Sequence, residues 1–141
     1  MIVVDTSVVV RGLRTPSGPS GWIVRAMLVG TVPFALSNAL LIEYEAVITR
    51  PKLLRALRLE VGEAETLLDA IAGQAHTADP RFSFRPQLRD PDDEIVLECA
   101  IAAAAGTIVT GDKDFSDRVL SRFGIVAKTP GAYVHERKDA S

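Results

Sequence analysis

The chain has 141 residues, of which 48% are hydrophobic, and its formal net charge is −2. This length fits a single domain, and the apolar content is enough for a core that needs no disulfide or structural metal. The small net charge excludes the strongly basic field of many nucleic-acid-binding proteins but leaves local basic patches open. Cys99 is the single cysteine, so an internal disulfide is excluded and a buried, inert thiol is expected.

The N-terminal run MIVVDTSVVVRGL lacks a positively charged start, and Asp5 interrupts its apolar residues. These features do not fit a signal peptide. No stretch reaches the ~18 uninterrupted apolar residues of a membrane-spanning helix. We therefore expect a cytoplasmic protein, in a reducing compartment, without a membrane partner.

The first part of the chain predicts two strands and a helix. Residues 1–4 form a short β-branched run that is typical of a buried strand. Residues 14–21 are dense in Pro, Gly and Ser and predict a loop, and residues 22–29 predict a helix that Gly30 ends. Residues 32–36 predict the second strand.

The middle of the chain is predicted to be helical. Ser37 or Asn38 can cap a helix that extends to Thr49. Pro51 is tolerated at a first helical position and starts another turn or helix. Residues 63–74 have helical periodicity, with one apolar face.

The last part of the chain returns to alternating elements. Residues 78–90 carry two prolines without a clear period and predict a loop, whereas residues 92–105 predict a deeply buried helix because they are apolar almost all round. Residues 107–109 and 125–127 predict strands, and residues 116–122 a helix between them.

Apolar strands that alternate with helices predict an α/β fold. We expect a three-layer α/β/α sandwich with a central parallel sheet. The predicted domain covers residues 1–134, and the charged residues 135–141 are expected to form a disordered tail.

Acidic residues follow two of the predicted strands. Asp5 follows the first strand and Asp112 the third, and the carboxyl ends of parallel strands meet at one edge of a sheet, where ligands bind. Like-charged carboxylates about 4 Å apart repel by roughly 4 kcal/mol at an effective dielectric of about 20, so a cluster requires protons or a cation. Oxygen ligands suit Mg²⁺ or Mn²⁺, which can hydrolyse phosphodiesters with one or two ions.

Each acid also has a plainer interpretation. Asp90, Asp92 and Asp114 precede helices, where capping or turn formation is favoured over ligation. One of Glu43 and Glu45 is a solvated helix acid, and spacing alone does not say which.

Several stretches together resemble a PIN domain, in particular the VapC-like ribonucleases that are toxins of toxin–antitoxin systems. The segments that carry the resemblance are VVDTSV (3–8), LSNALLIEYEAVITRPK (36–52), RDPDDEIVLECAIAAAAGTIVTGDKDF (89–115) and VAKTPGAYV (126–134). The family pattern falls on four acids of this sequence: Asp5, Glu43, Asp93 and Asp112.

The resemblance implies a Mg²⁺- or Mn²⁺-dependent endoribonuclease that a cognate antitoxin inhibits and that forms a homodimer. Asp5, Asp93 and Asp112 would hold the metal, and Glu43 would ligate through water or orient the nucleophile. Possible secondary residues are Asp90, Asp114, Ser7 and Thr110.

Arg11 and Arg14 near the first acid are candidates for contacts with RNA phosphates, as are the basic residues of 50–58 to a lesser degree. Solvated helix faces are the plainer interpretation of these residues. The alternative function is a catalytically silent PIN-fold module that binds a partner. A phosphatase with Asp5 as nucleophile is disfavoured because Ser7 stands where such enzymes have a second acid.

Overall fold

The computed structural model describes residues 1–80, 90–111, 115 and 117–139, in which short strands alternate with helices. The strands are β1 (Ile2–Val4), β2 (Ala35–Ser37), β3 (His76–Ala78), β4 (Thr107–Val109) and β5 (Val126–Lys128). The helices are α1 (Thr6–Arg14), α2 (Pro19–Val29), α3 (Asn38–Ile48), α4 (Pro51–Leu57), α5 (Val61–Gln74), α6 (Pro91–Ala102), α7 (Asp117–Ser121) and α8 (Pro130–Asp139).

The described strands pair in parallel. β1 pairs with β4 in a register that sets Val4 opposite Val109, and β4 pairs with β5. β2 pairs with β3, and a parallel bridge between Ile2 and Phe34 joins them to β1. The spatial order is therefore β3–β2–β1–β4–β5. β2 and β3 lie on one side of β1, whereas β4 and β5 lie on its other side. The strand order therefore reverses between β1 and β4, and open α/β sheets bind ligands at such a position.

The sheet is covered on both faces. Successive side chains of a strand point to opposite faces, and the neighbours Val3 and Val4 are both fully buried, as are Ile108 and Val109. Helix α6 packs directly against β1, β2 and β4. The predicted three-layer α/β/α sandwich with a parallel sheet is confirmed.

Helix α6 is buried as its composition predicts, although it ends at Ala102 and not at 105. Cys99 lies inside it with no exposed surface, and burial raises the pKa of its thiol above the usual value. The prediction of a buried, inert thiol therefore agrees with its surroundings.

Helix α1 was not predicted, because its Val-rich sequence favours a strand. It forms because one face, with Val8, Val9 and Gly12, packs into the core against α2. Gly12 permits this close approach, since a Cβ there would lie 2.5 Å from the Ser20 carbonyl oxygen. Helix α2 accordingly begins at Pro19, inside the predicted loop 14–21.

The C-terminal segment also differs from the expectation. Helix α8 continues through Asp139, so residues 135–139 are helical and not a disordered tail. A Lys128–Glu136 salt bridge of 2.6 Å and a His135–Asp139 contact one turn apart stabilise it. Most of the predicted loop 78–90 lies outside the described residues, as do Ser116 and residues 140–141.

In the part of the chain that the structure describes, no helix is long and apolar enough to cross a membrane.

Ala104 follows α6 in left-handed backbone, with φ 53°. We expect Ala104→Gly to raise the free energy of unfolding by about 1 kcal/mol, because glycine adopts this conformation without a Cβ clash. Chemical denaturation of the two proteins measures the difference. Ala102→Gly at the end of α6 is the control and should lower the free energy of unfolding by up to ~1 kcal/mol. Destabilisation by Ala104→Gly would contradict the strain argument.

Candidate functional site

A cavity of about 1050 Å³ opens beyond the carboxyl ends of β1 and β4, where the strand order reverses. Side chains from the β1–α1 junction, α3, the start of α6 and the residues after β4 and β5 line it. The described acids among them are Asp5, Glu43, Asp90, Asp92 and Asp93. The tertiary fold therefore brings acids from three separate chain segments to one cavity.

Asp5 stands at the N-cap position of α1, but its carboxylate makes no capping hydrogen bond. The backbone carbonyl of Asp5 instead accepts a hydrogen bond from the Val8 N–H at 3.0 Å, in the first turn of the helix. Its Oδ2 accepts hydrogen bonds from the hydroxyls of Ser7 at 3.2 Å and Thr110 at 2.7 Å. Asp5 is only 8% exposed, and hydroxyl groups from α1 and from the residue after β4 hold its side chain, so it is not a plain helix cap.

Glu43 projects from α3 into the same cavity, whereas Glu45 is exposed and does not line it. The Thr6 hydroxyl donates a hydrogen bond to the Glu43 carboxylate. Burial raises the pKa of Glu43 from 4.5 to about 7; the Thr6 bond lowers it, while a hydrogen bond with Asp92 and the charges of Asp92 and Asp5 raise it. The choice between the two glutamates, which spacing left open, is thus made by how α3 packs.

The first turn of α6 gives its three aspartates different environments. Asp90 caps the helix, because its Oδ1 accepts from the Asp92 N–H at 2.9 Å, as predicted. Asp92 is exposed and contacts Glu43. Asp93 is only 5% exposed and lines the cavity. Asp93 is therefore the one member of the trio that is buried toward the other acids.

Two candidate residues cannot be placed. Asp112 and Asp114 lie outside the described residues, although Gly111, just before them, lines the cavity. Among the described residues, no three His, Cys, Asp or Glu side chains lie close enough to hold one metal ion. The donor set is nonetheless made only of oxygen atoms, which suits a hard divalent cation.

Basic residues line the same cavity. Arg11 and Arg14 lie on the last turns of α1, and Arg50 lies between α3 and α4. All three are exposed at the rim of the cavity and do not lie in the core. Carboxylates and guanidinium groups thus share one cavity, and Arg50 belongs to it as much as the two arginines singled out from the sequence.

Residues 1–114 match the PIN domain family. The chain belongs to this family. PIN domains are generally metal-dependent nucleases, so this protein has a nuclease-type fold. Comparisons with curated proteins and with solved structures gave no match.

A tyrosine supports the cavity of this PIN domain from beneath. Tyr44 is fully buried, and its hydroxyl donates a hydrogen bond to the backbone carbonyl of Val4, the residue before Asp5. That carbonyl is available because, among the described residues, β1 and β2 meet only at the Ile2–Phe34 bridge. Tyr44 therefore ties α3, which carries Glu43, to the end of β1. In the sequence, the one feature that pointed to this role of Tyr44 was its position next to Glu43.

The raised pKa of Glu43 gives this PIN domain a pH-dependent stability when no metal ion is bound. Between about pH 4.5 and 7 the unfolded chain releases the Glu43 proton while the folded protein keeps it. The free energy of unfolding should therefore fall as the pH rises through this window and become flat above it. Chemical denaturation in EDTA from pH 5 to 8 measures the slope.

Glu43→Gln is the matched variant, because it mimics the protonated carboxyl. It should remove the part of the slope that Glu43 causes. An unchanged slope in this variant would contradict the assignment of the raised pKa to Glu43.

Tyr44→Phe should lower the free energy of unfolding by about 1–2 kcal/mol, because the buried Val4 carbonyl loses its hydroxyl partner. Tyr133→Phe is the control, since Tyr133 is also buried but its hydroxyl has no hydrogen-bond partner among the described residues. Thermal unfolding of both variants gives the comparison. Equal effects would show that the Tyr44 hydroxyl has no special role.

Proposed function

We propose that this PIN domain is a metal-dependent endoribonuclease that uses Asp5, Glu43, Asp93 and Asp112. The observation that carries the proposal is the meeting of Asp5, Glu43 and Asp93 in one cavity that arginines also line. Carboxylates alone would repel a phosphodiester, and arginines alone would bind it without activating water. A cavity with both can hold a cation and the phosphate beside it.

Asp5, Asp93 and Asp112 would hold Mg²⁺ or Mn²⁺. When bound, such a cation supplies Lewis-acid activation of water and compensates the negative charge of the phosphate. Crowding of the acids supports this assignment, because the charges of Asp92 and Asp5 already raise the pKa of Glu43. A cation in the cavity would relieve that repulsion.

The chain's own residues would orient the reaction. The Thr6 hydroxyl fixes the Glu43 carboxylate, which can take up or release a proton near neutral pH. Ser7 and Thr110 fix the Asp5 carboxylate in the same manner. Asp90 and Asp114 would have secondary roles.

Arg11 and Arg14 would contact RNA phosphates. They lie in the same cavity as the acids, which lets them hold the phosphodiester while the acids act on it. The interaction is sequence-independent, so it would position the RNA without specifying it.

The biological role we propose is that of a toxin in a type II toxin–antitoxin system. The sequence resemblance to VapC-like ribonucleases supports this role, and it includes inhibition by a cognate antitoxin, homodimerisation and a cytoplasmic site of action. A neighbouring reading frame that encodes a small DNA-binding antitoxin would support the role.

The alternative is a catalytically silent PIN-fold module that binds a partner. A titration with Mn²⁺ distinguishes the two, because a cation that binds the folded state raises the melting temperature by mass action. A silent module without a metal site would show no such shift.

Asp5→Asn should lower RNA cleavage in Mg²⁺ or Mn²⁺ by at least about 100-fold, because loss of a metal ligand removes several kcal/mol of transition-state stabilisation. Cleavage of a labelled RNA by purified protein measures this change. Glu43→Gln should also impair cleavage strongly. Glu45→Gln is its matched control, since Glu45 lies on the same helix but outside the cavity.

Cleavage by Asp5→Asn equal to that of the unmodified protein, in preparations free of contaminating nuclease, would reject the assignment. Equal losses in the Glu43 and Glu45 variants would reject the role of Glu43.

A further inference from the structure

A second cleft adjoins the cavity of the proposed nuclease site. Its volume is about 550 Å³, and it lies where α1 and α4 end. Its lining residues are Leu13, Arg14, Pro16, Ala56, Leu57 and Arg58. Arg14 lines both this cleft and the first cavity, so one guanidinium-bearing side chain forms the boundary between them. A ligand that extends past Arg14 would occupy both the cavity and the second cleft.

The arginine on the far wall of the second cleft occupies an unfavourable backbone position. Arg58 follows α4 with φ 57°, in the left-handed region where glycine is preferred. Leu59 N–H donates to the Leu54 carbonyl at 3.0 Å, so the turn after the helix is tight. An arginine here costs stability relative to glycine, and such outliers often mark functional positions. The way in which α4 ends explains the left-handed backbone at position 58, but it does not explain why arginine stands there instead of glycine.

Both arginines of the second cleft lack an acidic partner among the described residues. Arg14 and Arg58 are exposed, and neither forms an ion pair with an acid in the described part of the chain. Basic residues in the last turn of a helix interact favourably with the helix dipole, and this can explain Arg14 in α1 and Arg55 in α4. Arg58 lies beyond the last turn of α4, and it lines the second cleft together with Arg14.

The surrounding chain is basic although the whole protein is not. Residues 6–58 contain seven basic residues and two acidic ones, against a net charge of −2 for the whole chain. The basic residues are Arg11, Arg14, Arg25, Arg50, Lys52, Arg55 and Arg58. The whole lining of the second cleft and part of the lining of the first cavity come from this segment, so a polyanion would be attracted to the path between them.

We propose that the second cleft binds an unpaired nucleotide of the RNA strand next to the phosphodiester held in the first cavity. Leu13, Pro16 and Leu57 offer apolar surface to a base, and the guanidinium groups of Arg14 and Arg58 offer donors to the flanking phosphates. A base within a duplex has its faces stacked and cannot present them to this wall. The inference rests on the proposed ribonuclease function and adds a nucleotide-binding site outside the cavity of the acids, with Arg58 as one of its residues.

The test compares the RNA affinity of variants of the full chain. Fluorescence anisotropy of a labelled single-stranded RNA in EDTA, where it is not cleaved, gives the dissociation constants. Arg58→Gly should weaken binding about 5-fold and lower the slope of log affinity against log salt by about 0.7, as expected for one lost phosphate contact. It should also raise the melting temperature by about 3 °C, because glycine relieves the left-handed backbone.

Arg58→Gln and Arg55→Gln form a matched pair on the same segment. Both remove one positive charge, but only Arg58 lines the cleft. Arg58→Gln should weaken binding as Arg58→Gly does, whereas Arg55→Gln should change the affinity by less than about 2-fold, an effect of net charge alone. The same RNA annealed into a full duplex should bind less tightly than the single strand.

The outcomes separate this inference from the proposed function. If the unmodified protein cleaves RNA and the Arg58 and Arg55 variants bind it equally, the second cleft has no role in RNA binding while the ribonuclease assignment stands. Equal affinity for the duplex and the single strand would overturn the proposal that the second cleft binds an unpaired nucleotide. If the unmodified protein neither binds nor cleaves RNA, both proposals are rejected.

Discussion

The parallel pairing of β1 with β4 is the constraint on which the candidate site depends. The Asp5 N–H donates to the Val109 carbonyl at 3.0 Å, so both strands end at the same edge. The residues that follow, Asp5 and Thr110, then come within hydrogen-bond distance although they are far apart in the chain. A slip of one residue in this register would turn Asp5 to the other face of the sheet, because the side-chain period of a strand is two.

Hydroxyl groups and one aromatic ring hold the acids against their mutual repulsion. Thr6 donates a hydrogen bond to Glu43, and Thr110 donates one to Asp5, so a hydroxyl group orients each of these carboxylates. Tyr44 fixes the distance between the helix and the strand that carry them. The raised pKa of Glu43 reflects first its burial and then, in smaller part, the charges of Asp92 and Asp5.

Much of the fold and part of the site could be predicted from the sequence. The apolar runs around Val3 and Ile108 identify buried strands because burial on both faces requires such runs. Helix α1 could not be predicted, since its β-branched residues favour a strand and only packing against α2 makes them helical. At the start of α6 the capping role of Asp90 could be predicted, but not that Asp93 is buried while Asp92 is exposed, because burial depends on how the helix is rotated against the sheet.

The sequence by itself determined the fold class, the position of Asp5 after the first strand and the acids that are candidates for the site. Local chemistry is sufficient for these features, because strand ends and helix caps are encoded in neighbouring residues. Only the tertiary structure decided that Glu43 and not Glu45 faces Asp5, and that Arg14 borders two clefts. Such choices depend on the rotation of a helix against its neighbours, which residues distant in the chain control.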